Sequence, residues 1–206
     1  MSAAVSNIVL AGVGGQGSVR AGQIIARAAV LDRLEVATSE VHGMAQRGGS
    51  VFSTVRLGRG VYSPMIPEGE ADFLVAFEKL EALRYRSHLA PGGTALINDQ
   101  RITPSIEALK HAPYPDDEEM LAALGRRAAT VRIIPGLEVA LALGNPRLAN
   151  VVLLGALSTH LALTEHAWRQ ALTELVPPTT VDLNLRAFYE GRAPTEGHAG
   201  QEQRGD

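Results

Sequence analysis

Residues 7–31, NIVLAGVGGQGSVRAGQIIARAAVL, decide the fold. Asn7 to Ala11 is a short apolar run that stops at Gly12, which reads as a buried strand ending in a glycine turn. Beyond the glycines, Ala21, Ile24, Ile25, Ala28 and Leu31 recur at helical spacing, with Arg20, Gln23 and Arg27 on the other side. Ser18 stands where it can cap that helix. A strand, a glycine loop and an amphipathic helix in direct succession open an α/β domain.

The same patterns continue outward. Val36 to Val41 reads as a second strand. From Ser50 to Leu57 the residues alternate, and Gly58-Arg59-Gly60 turns them back into Val61 and Tyr62, so a hairpin is expected there and the sheet is mixed. Phe73 to Phe77, Thr94 to Asn98 and Thr130 to Ile134 are further strands. A helix is expected over 78–89, stopped by Ala90-Pro91-Gly92-Gly93. After a connection containing Pro104, Pro113 and Pro115, Asp116 and Asp117 open another, with acids at its positive end, running to about Arg127. Beyond Pro135 the pattern is helical over 137–143, 147–163, 167–175 and 181–189. The expected fold is a three-layer α/β/α domain, with a mixed, mostly parallel sheet and a helical C-terminal region. One domain is expected over 1–191, with a disordered tail over 192–206. Val151 to Leu157 is apolar around its whole circumference, which fits either core or an obligate subunit contact.

Composition narrows the function. Hydrophobic residues are 46 % of the 206 and charged residues 20 %, ordinary for a globular chain. With 19 Lys and Arg against 22 Asp and Glu there is no basic footprint for nucleic acid. No apolar run reaches the ~18 residues of a membrane span, and the N-terminal stretch lacks a secretory pattern, so a soluble cytoplasmic protein is expected. The cysteine count is zero. A disulfide, a thiol nucleophile and an iron–sulfur cluster held by this chain are therefore excluded, because such clusters need cysteine thiolates.

Two stretches carry chemistry. Gly12-Val13-Gly14-Gly15-Gln16-Gly17 satisfies G-x-G-x-x-G between a strand and a helix. Residues without side chains let backbone N–H groups approach a phosphate or another anion at the positive helix end. A P-loop would need Lys after the last glycine, where Ser18 stands. A dinucleotide fold wants an acid roughly 20 residues on, for which Glu40 serves, but a glycine loop and a hairpin then replace the helix and parallel strand. The second stretch, EVHGMAQRGGS over 40–50, gathers Glu40, His42, Gln46 and Arg47 with Gly48, Gly49 and Ser50 at a strand tip, where open α/β sheets place their sites. The other histidines lack metal-ligand spacing, and His88, His111 and His198 read as solvated. Asp116 to Glu119 reads as a helix start rather than a metal site. H-E-x-x-H and G-x-S-x-G motifs are absent from the sequence.

GVGGQG (12–17), EVHGMAQRGGSV (40–51), YSPMIPEGEAD (62–72) and NPRLANVVLLGAL (145–157) together resemble the small (beta) subunits of indolepyruvate ferredoxin oxidoreductases. These belong to the gamma-type domain of the 2-oxoacid:acceptor oxidoreductases. The likeness runs from about Asn7 to Arg192. It implies a large partner subunit that holds thiamine diphosphate, magnesium and iron–sulfur clusters. The pair would decarboxylate an arylpyruvate, pass two electrons to ferredoxin and give the acyl group to coenzyme A. The sequence holds no G-D-G stretch of the kind that anchors the thiamine diphosphate metal, so no cofactor is expected in this chain and the isolated chain is expected to be inactive. The resemblance assigns it no catalytic residue. Gly12, Gly14, Gly15, Gln16 and Gly17, with Glu40, His42, Gln46, Arg47, Gly48, Gly49 and Ser50, are expected to face the partner's cofactor cleft and enclose substrate or coenzyme A. The rival readings are a free-standing NAD(P)-binding protein, a gamma subunit of another 2-oxoacid:acceptor oxidoreductase and a non-enzymatic interaction module.

Overall fold

A computed structural model describes residues 5–42, 49–103 and 114–193. The chain runs β1 (Ser6–Val13), α1 (Ser18–Leu31), β2 (Glu35–His42), β3 (Ser50–Gly58), β4 (Ala71–Ala76), α2 (Lys79–Arg84), β5 (Leu89–Asn98), α3 (Asp117–Gly125), β6 (Thr130–Ile134), α4 (Gly136–Ala142), α5 (Ala149–Ser158), α6 (Glu165–Leu175) and α7 (Val181–Arg192). Among the described residues six strands form one sheet in the order β2-β3-β1-β4-β5-β6. β3 runs antiparallel to both its neighbours, while β1, β4, β5 and β6 pair in parallel. The architecture is the expected three-layer α/β/α arrangement with a helical C-terminal region.

Alternation along the strands feeds two cores. Ile8, Leu10, Val55, Val75 and Leu96 face α1 and the C-terminal helices. Val9, Ala11, Leu74, Ala76, Ala95 and Ile97 face the other way, toward Met120 and Leu124 of α3 and Ala82 of α2. Every residue from Asn150 to Ser158 is buried within the chain itself. The all-apolar helix is therefore core, each large side chain stabilising the fold by about 1.5–3 kcal/mol through burial.

Several boundaries differ from the sequence expectation. Val61 and Tyr62 form no strand, and the hairpin partner of β3 is β2, in register from Glu35 opposite Gly58 to His42 opposite Val51. The 59–70 segment instead straps the sheet. Thr54 Oγ1 donates to Pro64 O at 2.8 Å, Arg56 Nη1 donates to Ser63 O at 3.1 Å, and Ile66 is buried. The helix expected over 78–89 stops at Arg84, and β5 begins at Leu89, with Ala90 to Gly93 bulged between the pairs Ala71–Leu89 and Phe73–Thr94. α5 ends at Ser158 rather than 163, and α7 runs on to Arg192. The rest of the expected tail, 194–206, lies outside the described residues.

α5 and α7 cross at two glycines. A Cβ on Gly155 would strike Phe188 O, and one on Gly191 would strike Val152 O, so the helix backbones touch where any side chain would part them. Gly191→Ala is expected to lower stability by about 1–3 kcal/mol through overpacking, read as a fall in the urea unfolding midpoint.

Candidate functional site

The carboxyl ends of β1, β2, β4, β5 and β6 share one edge of the sheet, because β3 alone is reversed. β3 therefore starts at that edge, with Ser50 opposite Val13 and Val51 opposite Gly12. The N–H of Gly14 donates to the carbonyl of Gly49 at 2.8 Å. The glycine loop and the end of the 40–50 stretch, distant in sequence, thus meet directly. Glu40 and His42 belong to the last residues of β2 and reach the same edge. Gln46, Arg47 and Gly48 lie outside the described residues.

The glycine loop is shaped by what surrounds it. Gly17 is the residue before α1 and has φ +82, left-handed backbone that favours glycine. A Cβ there would strike the Asn150 amide, whose Nδ2 donates to Gly17 O at 3.2 Å. Ser18 lies inside the helix rather than capping it, and among the described residues no side chain caps the first turn. The positive end of α1 therefore keeps backbone N–H groups that no described side chain caps. Gly15, with φ +105 and no atom of the described residues within 4 Å of a Cβ position, is the tip of the loop.

Gln16 does different work from that expected of it. Its Oε1 accepts the Val13 N–H at 2.8 Å, and its Nε2 donates to Phe77 O at 2.8 Å and Gln100 Oε1 at 3.0 Å. Asn98 extends the chain: its Nδ2 reaches the same Phe77 O and Gln100 Oε1, and its Oδ1 accepts the Leu137 N–H at 3.2 Å. Gly136 leaves room for this, since a Cβ would lie 2.7 Å from Asn98 Oδ1. These amides tie the ends of β1, β4 and β5 to the start of α4, and the Gln16 side chain is spent on the tie.

Sequence reasoning missed a charged cluster beneath this edge. Glu78, Lys79 and Glu81 are all buried. Glu78 accepts the Tyr114 hydroxyl and, at 3.0 Å each, the N–H groups of Ile102 and Glu81. That pairing and burial push the Tyr114 hydroxyl well above its usual range, burial acting most strongly. Lys79 Nζ meets Asp99 at 2.6 Å and Asp117 at 3.0 Å, and Arg101 meets Asp117 at 2.8 Å. The Arg101 hydrogen bond, foremost, holds the Asp117 carboxyl below the usual range. Asp116 caps α3 by accepting the Glu119 N–H at 2.8 Å, as its position implied. Among the described residues no group of three or more His, Cys, Asp or Glu side chains gathers as metal ligands.

Glu81 reaches the start of β3. It accepts the Ser50 hydroxyl, and Ser50 Oγ lies 3.0 Å from the Tyr85 hydroxyl. His88, expected in solvent, is partly buried, with its ring 4.9 Å from Phe52, which stacks on Tyr85 at 4.8 Å. In the helix expected over 78–89, Glu78, Lys79 and Glu81 carry no local sign of burial, and only Glu78 directly after an apolar strand could have marked them as unusual.

A dinucleotide fold sets the second strand beside the first; here β3 lies between β1 and β2. The comparisons point elsewhere. The model of the family described as pyruvate ferredoxin/flavodoxin oxidoreductase matches residues 7–193. An indolepyruvate oxidoreductase subunit IorB from Archaeoglobus fulgidus is 42% identical over 190 residues, 90% of this chain and 92% of that protein. The subunit of the same name from Thermococcus kodakarensis is 40% identical over 188 residues, 90% of this chain and 93% of that protein. The structure of a keto/oxoacid ferredoxin oxidoreductase gamma subunit from Geobacter sulfurreducens PCA superposes with a TM-score of 0.65 at 26% identity, covering 90% of this chain and 95% of that one.

Burial pushes the Glu81 carboxyl above its usual range, against the pull of the Ser50 hydroxyl and Arg84, and Glu78 adds to the rise. A folded-state value above the unfolded one favours the protonated fold. This stability is complete below the ordinary 4.5 and is lost as pH rises through the raised value. Urea unfolding of wild type and Glu81→Gln between pH 4 and 7 is expected to show the wild type losing more stability with rising pH, the difference appearing just above the ordinary carboxylate range.

Proposed function

The chain belongs to the pyruvate ferredoxin/flavodoxin oxidoreductase family, and we propose that it is the small, non-redox subunit of an indolepyruvate (arylpyruvate):ferredoxin oxidoreductase of the cytoplasm. In this reading a large partner subunit supplies thiamine diphosphate with magnesium and iron–sulfur clusters, which carry the oxidative decarboxylation and pass two electrons to ferredoxin. The products are carbon dioxide and an arylacetyl group joined to coenzyme A. The donor set of this chain supports that division: with no cysteine it offers no thiolate to a cluster. The names of the relatives support the substrate class.

What remains for this chain is positioning at the sheet edge, and the Gly14–Gly49 hydrogen bond is the observation that carries it. The glycine loop, Gly12 to Gly17, presents backbone N–H groups at the positive end of α1 to a phosphate of coenzyme A or to the substrate carboxylate. Arg47 supplies a planar fork for the same kind of anion. His42 offers imidazole nitrogens for hydrogen bonds to the reacting group, Gln46 offers neutral hydrogen bonds, and Glu40 flanks the stretch. Gly49 and Ser50 bring the end of this stretch against the glycine loop, and Gly48 precedes them in sequence. Because Gln16 is committed internally, its part is to hold the loop rather than to touch a ligand.

In the complex co-expressed with the large subunit, Arg47→Ala is expected to raise the KM for coenzyme A or the 2-oxoacid roughly tenfold or more, the loss of one charge-assisted pair. Assembly should be intact on gel filtration. Unchanged kinetics for both substrates would remove Arg47 from the site.

A further inference from the structure

Ser50 occupies a junction. It pairs with Val13 across the β1–β3 ladder, follows the Gly49 carbonyl that accepts the Gly14 N–H, and donates its own hydroxyl to Glu81. Glu81 comes from a different layer, on the short helix after β4, and its side chain is 4% exposed. The fold does not need an acid here. Glu78, not Glu81, caps α2, and the side chain of Arg84, the cation within reach of Glu81, is 50% exposed at 3.6 Å. Burying a carboxylate costs free energy that an apolar side chain of similar size would not. Glu81 gives directionality in return: an acceptor that fixes the Ser50 hydroxyl, and with it the first residue of β3.

We propose that Glu81 is a positioning residue that acts through Ser50: it seats the start of β3 against β1, so that Gly49 holds Gly14 and the glycine loop stands at a set height on the sheet edge. This rests on the reading of that edge as the functional one. The groups facing Glu81 are Arg84 and Glu78 along its own segment, Ser50 from β3, and Tyr85, which stacks on Phe52 beside His88. Glu78 is itself held by Tyr114 and Ile102, and Lys79 is turned to Asp99 and Asp117. Neither replaces Glu81 as the partner of Ser50.

Amide hydrogen exchange in the full-length chain tests this without the partner subunit. Ser50→Ala and Glu81→Ala are each expected to speed exchange at Gly14 by roughly tenfold, and the double variant should be no faster than the singles. Glu81→Gln, which keeps an acceptor oxygen, should restore most of the protection. Exchange at Leu96 in the core should stay at the wild-type rate. Additive effects, an unchanged Gly14, or Leu96 accelerating by the same factor would overturn the proposal, the last by reducing Glu81 to a residue of global stability. If Glu81→Ala does not fold, Ser50→Ala and Glu81→Gln carry the same comparison. In the assembled enzyme, Glu81→Ala should move a substrate KM more than kcat, and Glu81→Gln should bring it back toward the wild-type value. The exchange pattern with both KM values unchanged would uphold the coupling and count against the reading of the edge.

Discussion

The reversed strand β3 sets the geometry of the whole edge. Wedged between β2 and β1 and antiparallel to both, it must begin where its neighbours end. The chain segment that enters β3 is thereby delivered to the mouth of the β1–α1 turn. In an all-parallel sheet that segment would arrive at the opposite edge. The Gly14–Gly49 hydrogen bond is the local consequence, and the left-handed Gly17 and Gly15 at the loop tip are the means by which the backbone, rather than side chains, forms the surface there.

Beneath that surface the molecule invests unusual polarity. Two amides, Gln16 and Asn98, converge on the Phe77 carbonyl and on Gln100. Three charged residues, Glu78, Lys79 and Glu81, are buried within one turn of α2 and each is hydrogen-bonded or ion-paired. Such networks cost desolvation, and they rigidify when every member is satisfied. Rigidity is what a surface made of backbone N–H groups requires, since its donors cannot adjust by changing rotamer. In the proposed role beside a redox-active subunit, a chain without thiolates has this to contribute: a fixed shape.

The layers and the glycine loop were legible in the sequence because their signals are local. NIVLA followed by GVGGQG followed by a helical apolar stripe leaves little room for another fold. The partner of β3 was not legible. Gly58-Arg59-Gly60 looks like a hairpin turn, but the pairing is won by β2, whose eight residues align with β3 across the 43–49 segment. The strap that follows is held by Thr54 and Arg56, contacts that no local pattern encodes. Gln16 illustrates the same limit: an amide inside a glycine loop looks available to a ligand, and its partners, Phe77 and Gln100, come from far along the chain. His88 reads as surface for the same reason, since its neighbour Phe52 comes from β3. Val151 to Leu157 was ambiguous between core and interface until α7 was seen to close over it.

The central claim is that this chain shapes a site whose redox chemistry belongs to a companion. Its most direct measurement is arylpyruvate- and coenzyme A-dependent reduction of ferredoxin by the purified chain alone, by the large subunit alone and by the two combined, with iron and thiamine diphosphate determined in each. The account predicts activity in the combined sample only, with both cofactors following the large subunit. Turnover by this chain alone, or cofactors that follow it, would contradict the account.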